Sequence, residues 1–80
     1  MSNSEDHIVY AETKCAELVD EATKLREEVW LSQRDVSEAM GLSSHGNLAL
    51  IERHKSIPRL NGFLRILSVL GYTLKIVPKK

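Results

Sequence analysis

The sequence predicts an all-α domain of four to five helices that ends in one short β-strand. Three observations predict it. Apolar residues recur at three- and four-residue steps through several separate segments. Gly41, Pro58 and Gly71 interrupt that rhythm where helices would have to stop. The last apolar piece, residues 72–77, alternates instead, in the manner of a strand. The 80 residues divide into an acidic helical extension over 1–24, a helical core over 25–71 and the strand over 72–77. A domain this small buries only about 60–65% of its unfolded surface, and without disulfide or metal, oligomerisation is the common remedy.

The first helix is expected over residues 5–29, where Ile8, Tyr10, Ala11, Cys15, Leu18, Val19, Ala22, Leu25 and Val29 form one apolar stripe. Trp30 and Leu31 break it. Ser32 opens the second helix, with Asp35 placed as the acid of a capping box. Val36, Ala39 and Met40 are expected to face inward, and Gly41 to end the helix in the left-handed conformation. After a turn at Leu42-Ser43, a third helix is expected from Ser44 to about Arg53, burying Leu48 and Ile51. A later start, with Asn47 as N-cap, is the alternative. Pro58 forbids helix through the connector 54–58. The fourth helix, from about Arg59 to Leu70, carries Leu60, Phe63, Leu64, Ile66, Leu67 and Leu70, and stops at Gly71.

The terminal strand has no partner in its own chain, and unpaired backbone groups are costly when buried. Pairing with the same strand of a second copy across a two-fold axis solves this. Tyr72, Leu74 and Ile76 are the expected dimerisation residues.

A formal net charge of zero hides a dipole. Residues 1–28 hold eight acids against three bases, and residues 29–80 hold eight bases against three acids. The acidic and basic halves therefore differ in what they can attract. No apolar run, Leu48–Ile51 included, exceeds four residues, far short of the roughly 20 that span a bilayer. The polar, acidic start argues against a secretory signal, and the single cysteine, Cys15, fits a reducing cytoplasm. His7, His45, His54 and Cys15 lack the spacing of zinc ligands. Neither a nucleophile–base–orienter set nor a glycine-rich phosphate loop is present. Neither an enzyme, a cofactor, a metal site nor a membrane partner is expected.

Two short helices joined by a tight turn containing glycine make a helix-turn-helix unit; here they are 32–40 and 44–53. Leu25-Arg26-Glu27-Glu28, Leu31-Ser32-Gln33, Gly41-Leu42-Ser43, Ile51-Glu52 and Pro58 follow in order. In these residues the chain resembles the lambda-repressor-like, XRE-type DNA-binding family over residues 25–77. The run Leu70-Gly71-Tyr72-Thr73-Leu74 resembles its antitoxin subgroup, in which a terminal strand pairs between subunits. His54 stands where that family usually ends the third helix with glycine, and Trp30 replaces a more usual small or polar residue. One residue more than usual lies between Gly41 and Glu52.

The resemblance implies a homodimer that reads a palindromic operator in double-stranded DNA and represses transcription. A recognition helix meets base edges with its N-terminal residues, which points to His45, Gly46, Asn47 and Leu50. Asn47 suits adenine, and Leu50 suits a thymine methyl or, equally, a core or dimer contact. Gln33 matches the family's phosphate-binding glutamine. Ser44, Arg34, Arg53, Lys55 and Arg59 complete the expected phosphate contacts, and Glu52 is expected to pair with protein groups. The alternative expectation is an antitoxin-type module that neutralises a cognate toxin through the acidic N-terminal helix or the dimer surface.

Overall fold

Where the apolar rhythm runs at helical spacing, the chain forms four α-helices: α1 Ser4–Glu28, α2 Gln33–Ala39, α3 Gly46–Glu52 and α4 Leu60–Leu70. The computed structural model describes residues 4–41 and 46–79. No strand is formed among the described residues, where 72–77 is irregular chain in a single copy; the expected pairing is with the same segment of a second copy. The physical reason is simple: a strand exists only against a ladder partner, and four helices offer none. The predicted turn at Leu42-Ser43 and the proposed N-cap Ser44 lie outside the described residues. Asn47 is the second residue of α3, which removes it as an N-cap.

One core joins all four helices. Val19 and Ala22 of α1, Val36 of α2, Leu48 and Ile51 of α3, and Phe63, Ile66, Leu67 and Leu70 of α4 are buried together. The α4 residues stand at i, i+3, i+4 and i+7, the spacing that puts them on one face. Both α1 and α2 pack against both α3 and α4. Leu18, Leu25, Leu31, Met40, Val69 and Leu74 close the edges of the core.

The α1 stripe is only half used. Its C-terminal half is covered, whereas Ile8, Val9 and Tyr10 stay exposed. A 25-residue helix is about 37 Å long at 1.5 Å per residue, and the short helices beneath it cannot reach its far end. The C-terminal segment comes partway: Leu74 packs on the core, and Lys79 Nζ sits 4.1 Å from the centre of the Tyr10 ring. Ala39 also departs from expectation, being exposed, while Ser37 takes the buried position beside Val36.

Ser37 Oγ has no hydrogen-bond partner among the described residues. A buried hydroxyl left unpaired costs about 1–3 kcal/mol. Ser37→Ala is therefore expected to raise the unfolding free energy by roughly 1 kcal/mol, read as a higher urea midpoint at unchanged slope.

Helices α1, α3 and α4 end in the same way. Trp30 N–H donates to Glu27 O at 3.1 Å and Leu31 N–H to Arg26 O at 3.2 Å; His54 to Ile51 at 3.0 Å and Lys55 to Leu50 at 2.8 Å; Gly71 to Ser68 at 3.1 Å and Tyr72 to Leu67 at 2.8 Å. These paired bonds are Schellman caps, which need a left-handed residue just past the helix. Gly71 supplies it at φ 89°, but Trp30 and His54 supply it at φ 62° each. A side chain in that conformation costs roughly 1–2 kcal/mol against glycine.

Candidate nucleic-acid interface

A largely buried charge cluster ties together the end of α1, the start of α2 and the end of α3. Arg26 lies seven residues after Val19 and four after Ala22, on the apolar stripe of α1, so its charge needs a partner. Glu52, the last residue of α3, provides it: Arg26 Nε donates to Glu52 Oε2 at 2.7 Å and Arg26 Nη2 to Oε1 at 2.9 Å. The third nitrogen, Nη1, donates to the Leu31 carbonyl in the α1–α2 turn at 2.7 Å. Gln33 Nε2, at the start of α2, donates to the same Glu52 Oε1 at 2.9 Å. Only 12% of the Arg26 side chain and 10% of the Glu52 side chain are exposed. Hydrogen bonding to Glu52 raises the Arg26 pKa further against the opposing effect of burial. Glu52 thus pairs with protein groups, as expected, although with residues far away in sequence.

The start of α2 is held independently. Ser32 Oγ accepts from the Asp35 N–H at 3.0 Å, and Asp35 Oδ2 accepts from the Ser32 N–H at 2.9 Å. This is the capping box read from the sequence. The backbone N–H and hydroxyl of Ser32 hold the Asp35 carboxyl below the usual carboxylate range. A depressed carboxyl stabilises the fold above its unfolded pKa of about 3.9 and loses that contribution as pH falls through the folded value. Stability is expected to decline below about pH 4, and Asp35→Asn to flatten that acid limb in melts taken across pH.

The exposed side of α3 carries Asn47 and Leu50, while Leu48 and Ile51 on the other side are buried. Leu50 is 44% exposed, which removes the core reading of that residue. Gly46 opens α3, and His45 and Ser44 lie outside the described residues. Just past α3, Arg53 and Lys55 are exposed, and Arg59 precedes α4 as its N-cap without a side-chain cap bond. None of these three makes an ion pair among the described residues. Arg34 is also exposed but meets Glu38 one turn on, at 3.5 Å. His54 turns back to α1, with Nε2 2.8 Å from Asp20 Oδ1, so its left-handed conformation comes with a tertiary contact.

The three expected dimerisation residues differ in exposure. Leu74 packs against its own core, whereas Tyr72 is exposed and Ile76 is 99% exposed. Tyr10, Leu18, Leu60, Leu64, Leu74 and Ile76 line an open groove of about 750 Å³ between α1, α4 and the C-terminal segment. Among the described residues no group of three or more His, Cys, Asp or Glu could hold a metal ion, and no helix is long and apolar enough to cross a membrane.

The cluster around Arg26 is what reading the sequence missed. A charge on the stripe was the available signal, since an arginine at a core position is rarely left without a partner. Comparison with the models of known protein families, with curated proteins and with solved structures finds no match to this chain.

Proposed function

We propose that this protein is a sequence-specific double-stranded-DNA-binding repressor, acting as a cytoplasmic homodimer through a helix-turn-helix formed by α2 and α3, with no catalytic role. The observation that carries the reading is the sidedness of α3. Its buried face is Leu48 and Ile51, its exposed face is Asn47 and Leu50, and Arg53, Lys55 and Arg59, without ion pairs among the described residues, follow directly. A short helix held rigidly from behind, with polar and apolar side chains outward and cations at its exit, suits a major groove and the phosphates beside it. His45, Gly46, Asn47 and Leu50 are the proposed base-reading group, and Gln33, Arg34, Ser44, Arg53, Lys55 and Arg59 the proposed phosphate group. Gln33 would have to share its amide with Glu52, and Arg34 would have to leave Glu38.

Dimerisation is proposed through the C-terminal segment. The exposed Tyr72, and the exposed Ile76 that lines the open groove, support it, since a single chain leaves both uncovered. Two recognition helices would then face two half-sites about 34 Å apart.

The test is binding to the protein's own promoter fragment and to a scrambled duplex. With about eight phosphate contacts, affinity is expected to fall roughly 10⁴-fold between about 50 and 200 mM salt, the promoter being preferred throughout. Equal, weak binding to both duplexes would remove the repressor reading.

A second reading, an antitoxin-type module, is favoured by one observation. The N-terminal half of α1 projects beyond the core with Ile8, Val9 and Tyr10 exposed among acids. That surface suits a basic partner such as a cognate toxin.

A further inference from the structure

We infer that Trp30 is the anchor of a second protein-binding surface, one that takes a cationic, apolar polypeptide segment. Trp30 is 92% exposed and stands in the left-handed position that caps α1. Folding alone would favour glycine there. The comparison with His54 is direct: both residues have the same φ, but His54 reaches Asp20 while, among the described residues, no hydrogen bond, ion pair or ring contact involves the Trp30 side chain. Residues that break a local rule without an internal gain cluster at functional sites. Exposed tryptophan is also the side chain that most often anchors a protein interface.

The surroundings select the partner. Val29, next to Trp30, is half exposed and extends the apolar patch. Glu27 and Glu28 flank it, exposed in the last turn of α1. Acids at a helix C-terminus oppose the macrodipole, so Glu28 runs against what folding prefers, while Glu27 is offset in part by the Arg26 charge. The cation of α2, Arg34, is already taken by Glu38, and the Asp35 carboxylate is engaged by the N–H of the N-cap Ser32. A phosphate backbone approaching Trp30 would meet carboxylates. A basic segment offering an apolar slot would meet complementary charge around an aromatic knob. The inference deepens the partner-binding reading but places the contact at the opposite end of α1, and it does not depend on DNA binding.

Trp30 is the single tryptophan of the chain, so emission excited beyond the absorption of Tyr10 and Tyr72 reports on this side chain alone. The experiment titrates the full chain with a short peptide alternating Lys and Leu, with its Glu/Leu counterpart, and with duplex DNA. A saturable shift of emission to shorter wavelength with the Lys/Leu peptide only is expected. Glu27→Gln/Glu28→Gln should weaken that binding roughly five- to tenfold, the effect of two rim ion pairs, while Ile8→Asp leaves it unchanged. Both substituted glutamates and Ile8 are exposed, so the variants keep the fold. The inference is overturned by no shift with the Lys/Leu peptide, by equal shifts with both peptides, or by loss of binding in Ile8→Asp rather than in the glutamate variant. A shift with DNA alone, or on raising the protein's own concentration, overturns it too and assigns Trp30 to the operator flank or to the dimer.

Discussion

Arg26→Ala is expected to leave the chain largely unfolded at room temperature. The substitution removes the only cation from a pair whose side chains are almost wholly out of water. It leaves the Glu52 carboxylate with Gln33 Nε2 as its one side-chain donor among the described residues, and the Leu31 carbonyl without the Nη1 bond. Breaking one side of a buried pair costs about 3–5 kcal/mol. A single core in a domain near this length supplies rarely more than about 3–5 kcal/mol in total, so the two quantities meet. Far-UV circular dichroism and a thermal melt read the result, and Glu52→Ala is expected to behave alike. A melt within a few degrees of the parent would mean that water reaches the pair.

The double substitution Arg26→Met/Glu52→Leu separates charge from position. Replacing both members of a buried pair by apolar groups of similar volume is often neutral, or stabilising by about 1–4 kcal/mol. The double variant is therefore expected to fold. What it gives up is geometry: the guanidinium touches α1, the α1–α2 turn and the end of α3 at once, and apolar side chains impose no such register. If the α3 face reads DNA, promoter preference should fall in the double variant more than stability does.

What could be read in the sequence was what acts over short distances. The capping box at Ser32 and Asp35 was legible because both partners lie within one turn. The α4 face was legible because four core residues repeat on one helix. Glycine at 41 and 71 marked helix ends correctly. The same rule missed two ends of the same geometry, since a Schellman cap requires a left-handed backbone and not glycine itself, and Trp30 and His54 accept the cost. The Arg26–Glu52 pair spans 26 residues, beyond any local pattern. The α1 stripe announced an apolar face but not how much of it would be covered, which depends on the length of the helices opposite. Ala39, expected to face inward, is exposed for a related reason. In a seven-residue helix, a small rotation decides which neighbour of Val36 turns inward. The alternation at 72–77 is genuine in the sequence, but pairing is a property of two strands.

Arg53→Gln/Lys55→Gln/Arg59→Gln is expected to keep the fold and to remove most of the salt dependence of DNA binding. All three side chains are exposed and without ion pairs among the described residues, so little stability is at stake. In a dimer the substitutions delete six cations. Each phosphate contact contributes about 0.9 to the slope of log affinity against log salt, so the slope should become shallower by about 5. Binding near 50 mM salt would then weaken on the order of 10³-fold, while the ratio of promoter to scrambled duplex stays close to the parent's, because phosphate contacts position and base contacts specify. Leu50→Ser should do the reverse, lowering the promoter preference and leaving the slope alone. A triple variant with an unchanged slope would place the DNA on another face of the molecule. A triple variant with a flat slope and no remaining promoter preference would mean that the basic residues bind any polyanion and that α3 reads nothing.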